Sequence, residues 1–233
     1  MEAVVLAGGF GTRLQKLVND VPKSMALING TPFLEYLFNY LTGQGVQRVV
    51  LSVGYKNEII RSHFNDRFKH LHIDYALEEE PLGTGGGIKY AFEKVEGELA
   101  IVLNGDSMFR IDLNAMMAEH QRQDANITLA LRYLEDTERF GTVMLDEHHR
   151  ITGFKEKNPE SGAGYINAGV YIINKRFITQ PQFPQAFSIE KDCFERFYAK
   201  SKFIGFPAKG YFLDIGIPED YMKAQDEFRR FED

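Results

Sequence analysis

The sequence predicts an α/β fold in which a mixed, mostly parallel β-sheet lies between layers of helices. Two observations carry this prediction: short apolar runs alternate with helical patterns in the N-terminal half, and polar or glycine-rich loops follow three of those runs. This alternation is typical of parallel sheets that are covered by helices on both faces. We therefore expect a Rossmann-like three-layer sandwich that binds ligands beyond the carboxyl ends of its strands.

The N-terminal half alternates between the two kinds of element. The predicted strands are 3–6, 48–53, 71–77 and 99–103. The predicted helices are one that begins at Thr31-Pro32 and ends by Gly43 and Gly45, one marked by Ile59, Ile60 and Phe64, and one over 83–92. Thr31 is expected to cap the first helix, because threonine before proline is a typical helix start. The loops AGGFGTR, EEEPLGTGGG and NGDS follow strands and are expected to meet at one edge of the sheet.

The C-terminal half has more strands and fewer helices. The predicted elements are strands over 126–133, 141–145, 150–156 and 165–174, a helix over 188–200, strands in KFIGF and GYFLDIG, and a last amphipathic helix from about residue 218. No linker, repeat or low-complexity segment separates the halves. We expect one continuous domain whose second half completes the sheet and forms a wall over the pocket, with a division into two domains as the alternative.

Composition excludes several classes of protein. The 233 residues contain no apolar run near the roughly 18–20 residues that span a bilayer, and the N-terminus lacks the basic region of a signal peptide. The one cysteine, Cys193, excludes an internal disulfide framework and fits a reducing, cytoplasmic compartment. A net charge of −6 argues against a nucleic-acid partner, because binding polyanions requires a basic surface. A single nucleotide requires only local positive charge.

The loop LAGGFGTRL at residues 6–14 follows the first strand. It fails the Walker pattern, in which glycines separated by four residues precede Lys and Ser or Thr. It also fails the dinucleotide fingerprint, because the sixth position is Leu14 rather than glycine. Its backbone amides, with Arg13 at the end and Lys23 further along, are nevertheless suited to binding phosphate. The alternative is a strand-to-helix connection with a surface arginine and a surface lysine.

Two carboxylates stand at the ends of apolar runs that are far apart in the chain. Asp106 follows LAIVL and Asn104-Gly105, and Asp214 ends the apolar stretch of GYFLDIG. Isolated carboxylates suit Mg²⁺, which keeps several waters and is completed by substrate phosphates. Either aspartate alone is more simply an Asx-turn or a helix cap. Together with a phosphate loop, the pair favours a magnesium site.

Seven motifs in chain order resemble those of the sugar-1-phosphate nucleotidyltransferases. They are LAGGFGTRL, Pro22-Lys23, PLGTGG, NGD, FKEK, INAGVY and LDIGIPEDY. The resemblance covers nearly the whole chain, roughly residues 3–225. Within that family, DVPKSMALINGTPFLEYL, VVLSVGYK and EEEPLGTGGGIK are most similar to the D-glycero-α-D-manno-heptose 1-phosphate guanylyltransferases. The resemblance implies a fold of nucleotidyltransferase type, in which residues 1–110 would form a nucleotide-binding half and residues 111–233 a sugar-binding half. It also implies a homo-oligomer such as a dimer.

The resemblance further implies the reaction. The phosphate of a sugar 1-phosphate would attack the α-phosphorus of a nucleoside triphosphate in line and release pyrophosphate, giving a nucleotide sugar for surface polysaccharide synthesis. Arg13 would hold the triphosphate, and Lys23 would bridge the α-phosphate and the sugar phosphate. Asp106 and Asp214 would ligate Mg²⁺. Because the nucleophile is already an anion, catalysis would consist of positioning and charge neutralisation.

The remaining site residues follow from the matching motifs. The nucleotide-binding set is Leu6, Ala7, Gly8, Gly9, Gly11, Thr12, Glu79, Glu80, Gly83 and Thr84. The sugar-phosphate-binding set is Asn104, Glu156, Lys157, Asn167 and Gly169. In this second set, Glu156 would bind sugar hydroxyls and Lys157 the sugar phosphate.

The base preference depends on Glu78-Glu79-Glu80, which follow a predicted strand. Guanine presents two adjacent N–H donors, and a carboxylate can accept a hydrogen bond from each. Uracil and thymine would instead present carbonyl oxygens, which repel a carboxylate. We expect Glu79 or Glu80 to point into the pocket, with a solvated acidic loop as the alternative. This predicts GTP over UTP and dTTP. The resemblance implies a manno-configured heptose 1-phosphate as the partner, then mannose 1-phosphate. Uridylyl or thymidylyl transfer to another sugar 1-phosphate stays open, as does a regulatory module that only binds nucleotide sugars.

Overall fold

A computed structural model of the chain describes residues 1–9, 18, 20–157 and 162–231. Its N-terminal half contains the strands β1 (Glu2–Leu6), β2 (Leu27–Ile28), β3 (Thr31–Pro32), β4 (Arg48–Val53), β5 (Arg67–Phe68), β6 (Leu71–Leu77) and β7 (Leu99–Asn104). The helices of this half are α1 (Phe33–Gly43), α2 (Asn57–Phe64) and α3 (Gly83–Ala91), and a 3₁₀ turn covers Lys23–Met25.

The second half adds both strands and shorter helices. Its strands are β8 (Ser107–Arg110), β9 (Ile127–Leu134), β10 (Thr142–Leu145), β11 (Ile151–Lys155), β12 (Gly164–Asn174), β13 (Phe203–Ala208) and β14 (Tyr211–Asp214). Its helices are α4 (Leu113–Arg122), α5 (Lys175–Ile178), a π-helical segment (Ile189–Phe194), α6 (Glu195–Phe197), α7 (Pro218–Glu227) and a 3₁₀ helix (Phe228–Phe231).

The large sheet is mixed, with a parallel centre. Its strand order is β11-β10-β12-β7-β1-β4-β6-β5, and β9 joins it through β12, with β13 beside β9. Strands β7, β1, β4 and β6 pair in parallel, whereas β12 pairs with β7 in the antiparallel direction. The predicted sheet, with parallel strands in the first half and added strands from the second half, is confirmed.

Alternate residues of the central strands point to opposite faces, so each face has its own core. Val5 and Leu51 face a cluster that includes α1, α2 and α4, whereas Val4 and Val50 face a cluster that includes α3 and the π-helical segment. Cys193 is buried in the second cluster. The predicted three-layer sandwich is therefore confirmed. Within the described residues, no helix is long and apolar enough to cross a membrane.

Two predicted helices differ in the structure, and some of its elements, among them α4 and β8, were not predicted. Helix α1 begins at Phe33, because Thr31-Pro32 has extended backbone and pairs with Leu27–Ile28, so Thr31 does not cap the helix. The predicted helix over 188–200 begins with the π-helical segment and ends with α6. The short strand β8 (Ser107–Arg110) was not predicted, since only its pairing with a distant strand makes it regular.

His120 is a buried histidine whose charge state affects stability. It is 2% exposed on α4, and its Nδ1 lies 2.8 Å from the Thr128 hydroxyl oxygen of β9. Burial lowers the pKa of His120 to about 4, below its ordinary value of 6.5. The unfolded chain therefore binds more protons between these two pH values, and the contribution of His120 to stability is present above pH 6.5 and lost as the pH falls towards 4.

We expect acid to destabilise the protein through His120. At about 1.4 kcal/mol per pKa unit, the free energy of unfolding should fall by as much as about 3 kcal/mol between pH 6.5 and 4 through this group alone. His120→Gln cannot titrate, so it should flatten this part of the pH profile in urea unfolding measured from pH 7 to 4.5. Replacing the exposed His148 in the same way is the control. An equally steep profile in His120→Gln would contradict the assignment.

Candidate active site

The predicted loops meet at the carboxyl edge of the parallel strands. The Gly105 N–H, just after β7, donates to the Leu6 carbonyl at 2.8 Å, and the Ala7 N–H donates to the Ser52 carbonyl of β4 at 2.8 Å. These bonds extend the parallel ladder by one step on each side of β1. They hold the loops after β1 and β7 side by side, where ligands bind in open α/β sheets.

Two adjoining cavities open at this edge. The smaller, of about 280 Å³, has walls that include Ala7, Lys23, Ser24, Asn104, Asp106 and Gly216. The larger, of about 890 Å³, has walls that include Gly8, Glu78, Glu79, Glu80, Gly83 and Tyr90. Leu6, Gly9 and Thr84 line both cavities. An elongated ligand can therefore extend from one cavity into the other.

Lys23, in the wall of the smaller cavity, lies between the two predicted metal-binding carboxylates. Its Nζ is 2.6 Å from Asp106 Oδ2 and 3.5 Å from Asp214 Oδ1. The antiparallel pairing of β14 with β8 places Asp214 opposite Ser107, and the Ile215 N–H donates to the Asp106 carbonyl at 3.0 Å. Three charged groups from three distant parts of the chain are thus brought together.

The electrostatics of this cluster favour a further cation. Burial raises the pKa of Asp214, and repulsion by Asp106 adds to the effect, while Lys23 and the Gly216 N–H oppose it. The Gly216 N–H donates to Asp214 Oδ1 at 2.6 Å. A side chain at Gly216 would place Cβ 2.8 Å from that oxygen and 3.0 Å from Lys23 Nζ, so only glycine fits without displacing the ammonium group.

The donor set in the smaller cavity fits a hard divalent ion that keeps open positions. The described residues contain no group of three or more His, Cys, Asp or Glu side chains arranged to hold a metal. Two carboxylates alone suit Mg²⁺, which is usually bound through one or two carboxylates, water and substrate phosphates. Asp106 and Asp214 therefore provide what such an ion requires, provided that a phosphate ligand arrives with it.

Glu78 is the glutamate most firmly held in the larger cavity. Its Oε1 accepts a hydrogen bond from the Ser52 hydroxyl at 2.6 Å, and its Oε2 accepts one from the Leu82 N–H at 3.2 Å. A Cβ at Gly8 would lie 3.2 Å from Oε1, and one at Gly87 would lie 2.9 Å from it. The carboxylate thus lies against the first glycine of the loop after β1.

The sequence prediction favoured Glu79 and Glu80, and the structure adds Glu78 as a candidate. All three line the larger cavity, but Glu79 and Glu80 are exposed whereas Glu78 is partly buried. Strand alternation could have found it: Ala76 is buried on the α3 side of the sheet, so Glu78, two residues later, points to that side as well.

The glycines of GTGGG mainly allow close packing. Gly83 has φ +70°, and a Cβ there would lie 2.7 Å from the Phe187 carbonyl oxygen. A Cβ at Gly85 would lie 2.2 Å from the Phe187 ring, and the N–H groups of Gly85 and Gly86 donate to the Phe187 carbonyl at 2.9 and 3.3 Å. Because these first-turn amides already have a partner, this stretch is not a phosphate cradle of the Walker type.

Three of the predicted sugar-side residues come together near the smaller cavity. Gly169 has φ +73°, and a Cβ there would lie 2.6 Å from Asn104 Nδ2. The Gly169 N–H donates to Asn167 Oδ1 at 3.0 Å, and Asn167 Nδ2 donates to the Tyr171 hydroxyl at 2.9 Å. Glu156 and Lys157 are exposed just after β11, and the described walls of the two cavities do not include them. Arg13, Gly11 and Thr12 lie outside the described residues.

Comparison with known proteins identifies the family. The family described as "Nucleotidyl transferase" matches residues 2–230. The chain belongs to this nucleotidyl transferase family. It is 46% identical over 231 residues to the D-glycero-alpha-D-manno-heptose 1-phosphate guanylyltransferase of Aneurinibacillus thermoaerophilus, which covers 99% of this chain and 100% of the relative. The protein of the same name from Campylobacter jejuni is 43% identical over 95% of this chain and 97% of the relative.

A comparison with solved structures agrees with this family assignment of the nucleotidyl transferase. HddC from Yersinia pseudotuberculosis superposes with a TM-score of 0.87 and 40% identity, covering 97% of this chain and 99% of that chain. HddC has also been crystallised in complex with GMP-PN. The resemblance read from the sequence motifs is therefore confirmed at the level of family and fold.

Proposed function

We propose that this nucleotidyl transferase transfers GMP from GTP to D-glycero-α-D-manno-heptose 1-phosphate, releasing pyrophosphate and GDP-heptose for surface polysaccharide synthesis. The observation that carries the reaction type is the cluster of Lys23, Asp106 and Asp214, of which Lys23 and Asp106 line the smaller cavity. The choice of substrates is supported by the 46% identity to a heptose 1-phosphate guanylyltransferase over the full length of both chains. Mannose 1-phosphate is the second substrate to test, because a mannose-1-phosphate guanylyltransferase from Mycobacterium tuberculosis is 35% identical.

The chemistry asks the protein to position two anions and to neutralise their charge. A sugar phosphate oxygen is already a nucleophile, so the reaction needs no general base. Lys23, which is 14% exposed, would lie between the α-phosphate and the incoming sugar phosphate, where its charge stabilises the crowded oxygens of the transition state. Arg13 would clamp the triphosphate, as guanidinium groups do with phosphates.

The family generally uses a divalent metal, and we propose that Asp106 and Asp214 hold Mg²⁺. Bound there, the ion would supply positive charge to the phosphate oxygens. In the described geometry, the Lys23 ammonium takes the position of a cation between the two carboxylates. With the carboxylates holding the ion, Lys23 would turn from them towards the phosphates.

The larger cavity would hold the base and ribose, with the glutamates as the source of guanine preference. A carboxylate can accept both donors on the Watson–Crick edge of guanine, and a wrong base would leave buried polar groups unpaired. Glu79 and Glu80 are our candidates from the sequence. Glu78 joins them because Ser52 and Leu82 hold its carboxylate in one orientation. Gly8, Gly83 and neighbouring backbone would contact the base and the ribose. The nucleotide site would be completed by Leu6, Ala7, Gly9 and Thr84.

On the sugar side, we propose that Asn104, Asn167 and Gly169 line the sugar site. Glu156 would bind sugar hydroxyls and Lys157 the sugar phosphate, which requires the segment after β11 to face the smaller cavity when substrate is bound. We also propose that the enzyme works as a homodimer, because the family resemblance implies an oligomer. We propose that it is cytoplasmic, because its one cysteine, Cys193, is a free, buried thiol.

The base preference gives a direct test of this function. With one accepted sugar 1-phosphate and Mg²⁺, kcat/KM should be highest for GTP and at least about tenfold lower for UTP and dTTP, because each mispaired buried group costs about 1–3 kcal/mol. Glu78→Gln, Glu79→Gln and Glu80→Gln, measured beside the wild type, should show which carboxylate is responsible by loss of this ratio. A higher kcat/KM for UTP or dTTP in the wild type would contradict the proposed guanylyl transfer.

A further inference from the structure

The segment that contains the π-helix packs directly against the start of α3, although the two are about a hundred residues apart in the chain. Phe187 accepts backbone hydrogen bonds from Gly85 and Gly86, and its own N–H donates to the Leu82 carbonyl at 2.9 Å. The second half of the chain therefore supports the loop that lines both cavities. Single-turn π-helical segments are frequent near functional sites.

Thr84 and Glu190 form the side-chain part of this contact. The Thr84 hydroxyl donates to Glu190 Oε2 at 3.0 Å and accepts from the Ile189 N–H at 2.9 Å. The Ser188 hydroxyl donates to the same Glu190 oxygen at 3.0 Å. Because its donor and one acceptor are both engaged, the Thr84 hydroxyl is fixed in one rotamer. Hydrogen bonds to an ionised carboxylate are stronger than neutral ones.

The position of Thr84 makes this contact relevant to ligand binding. Thr84 is one of the three residues that line both cavities, and it is exposed there. It is also the first residue after Gly83, whose positive φ sets the turn into α3. Whatever fixes Thr84 also fixes the backbone at the junction between the two cavities.

The charge of Glu190 also acts on a buried tyrosine of β12. Burial raises the pKa of the Tyr171 phenol, and the charge of Glu190 adds to that rise. Tyr171 is fully buried and accepts the hydrogen bond from Asn167 on the sugar side. Glu190 therefore contacts Thr84 of the nucleotide-side loop, and its charge acts on a tyrosine of the strand that carries Asn167.

We infer that Glu190 is a positioning residue that holds Thr84 in the geometry required to bind a nucleoside triphosphate. The inference rests on the proposed function, in that it takes the two cavities to be the nucleotide site. Glu190 lines neither cavity in the described chain, so it acts through Thr84 and not by touching the nucleotide. Through this contact, the affinity for the nucleotide depends on how the second half of the chain packs against α3.

GTP, ATP, UTP and dTTP are first compared on the wild type, and the one that binds most tightly is used for the test. Its dissociation constant (Kd) is then measured for each variant by calorimetry. Sugar phosphate is left out, so the measurement does not depend on the reaction. Glu190→Ala and Thr84→Val should each raise this Kd by about three- to tenfold, as loss of one hydrogen bond does. The double variant should resemble the weaker-binding single variant. Glu190→Gln keeps an acceptor oxygen and should restore most of the affinity.

The matched control is Glu195→Ala, which removes an exposed carboxylate from α6 in the same region. It should leave Kd unchanged.

The melting temperature is measured for every variant, and Thr84→Val tests the same bond from an exposed position if Glu190→Ala does not fold. An unchanged Kd in Glu190→Ala or Thr84→Val, or effects that multiply in the double variant, would overturn the inference. If the wild type prefers UTP, the proposed guanylyl transfer is contradicted but the inference about Glu190 stands. If the wild type binds no triphosphate, the proposed function and the inference are both overturned.

Discussion

Asp106→Asn is expected to lower kcat by about 10²-fold or more, since it removes one preorganised charge while keeping the shape of the side chain. The Asp106 carboxylate lies 2.6 Å from Lys23 Nζ and shares a cavity with it. If Asp106 and Asp214 jointly hold the ion, the variant should also require more Mg²⁺ for half-maximal rate. The measurement is the initial rate of pyrophosphate release over a range of Mg²⁺ concentrations at saturating triphosphate.

The matched control is Asp226→Asn, which removes an exposed carboxylate from α7 and should leave both the rate and the Mg²⁺ dependence unchanged. Asp214→Asn should reproduce the effect of Asp106→Asn, because the Gly216 N–H fixes the second carboxylate against the same ammonium group. Near-normal turnover of Asp106→Asn at limiting Mg²⁺ would count against a metal site at this pair.

Lys23→Ala is expected to reduce kcat by about 10²–10³-fold while it weakens triphosphate binding far less. The reason is that Lys23 would bring its charge to the oxygens of both reacting phosphates, which crowd together only in the transition state. Because its side chain is only 14% exposed, that charge is more effective than one at the surface. The measurement is kcat together with the Kd of the triphosphate.

Arg13→Ala should behave differently and weaken both quantities, because a clamp on the triphosphate acts in the ground state and the transition state alike. Lys209→Ala, which removes an exposed lysine between β13 and β14, is the control and should change neither. Small and equal effects of Lys23→Ala and Arg13→Ala would support the view that both are ordinary surface cations.

The elements that the sequence predicted well are those with a strong local signal. The strands β4 (Arg48–Val53) and β6 (Leu71–Leu77) agree with the prediction to the residue, since apolar runs and alternation mark buried strands. The meeting of the loops after β1 and β7 at one edge also followed from local pattern, because parallel strands end on the same side. The same reasoning, taken together with Asp214 and the phosphate loop, makes Asp106 a candidate metal ligand.

The features that the sequence did not predict depend on contacts between distant residues. Asp214 meets Lys23 across 191 positions because β14 pairs with β8, and β8 is too short to show a period of its own. The glycines of GTGGG look like a phosphate loop in the sequence. In the structure, the carbonyl and ring of Phe187 lie against them and leave no room for side chains. The sequence did not predict this contact, because Phe187 lies about a hundred residues further along the chain. Glu190 had no local signal, since only the fold brings it to Thr84.

We propose that the Lys23–Asp106–Asp214 cluster serves nucleotidyl transfer to a sugar 1-phosphate. The most direct measurement incubates the protein with Mg²⁺, each of GTP, ATP, UTP and dTTP, and a panel of sugar 1-phosphates that includes D-glycero-α-D-manno-heptose and mannose, and quantifies pyrophosphate and nucleotide sugar. We predict equimolar pyrophosphate and GDP-heptose from GTP and the heptose 1-phosphate, and almost none from Lys23→Ala. Binding of these ligands without release of pyrophosphate in any combination would contradict the claim and indicate a regulatory binding module.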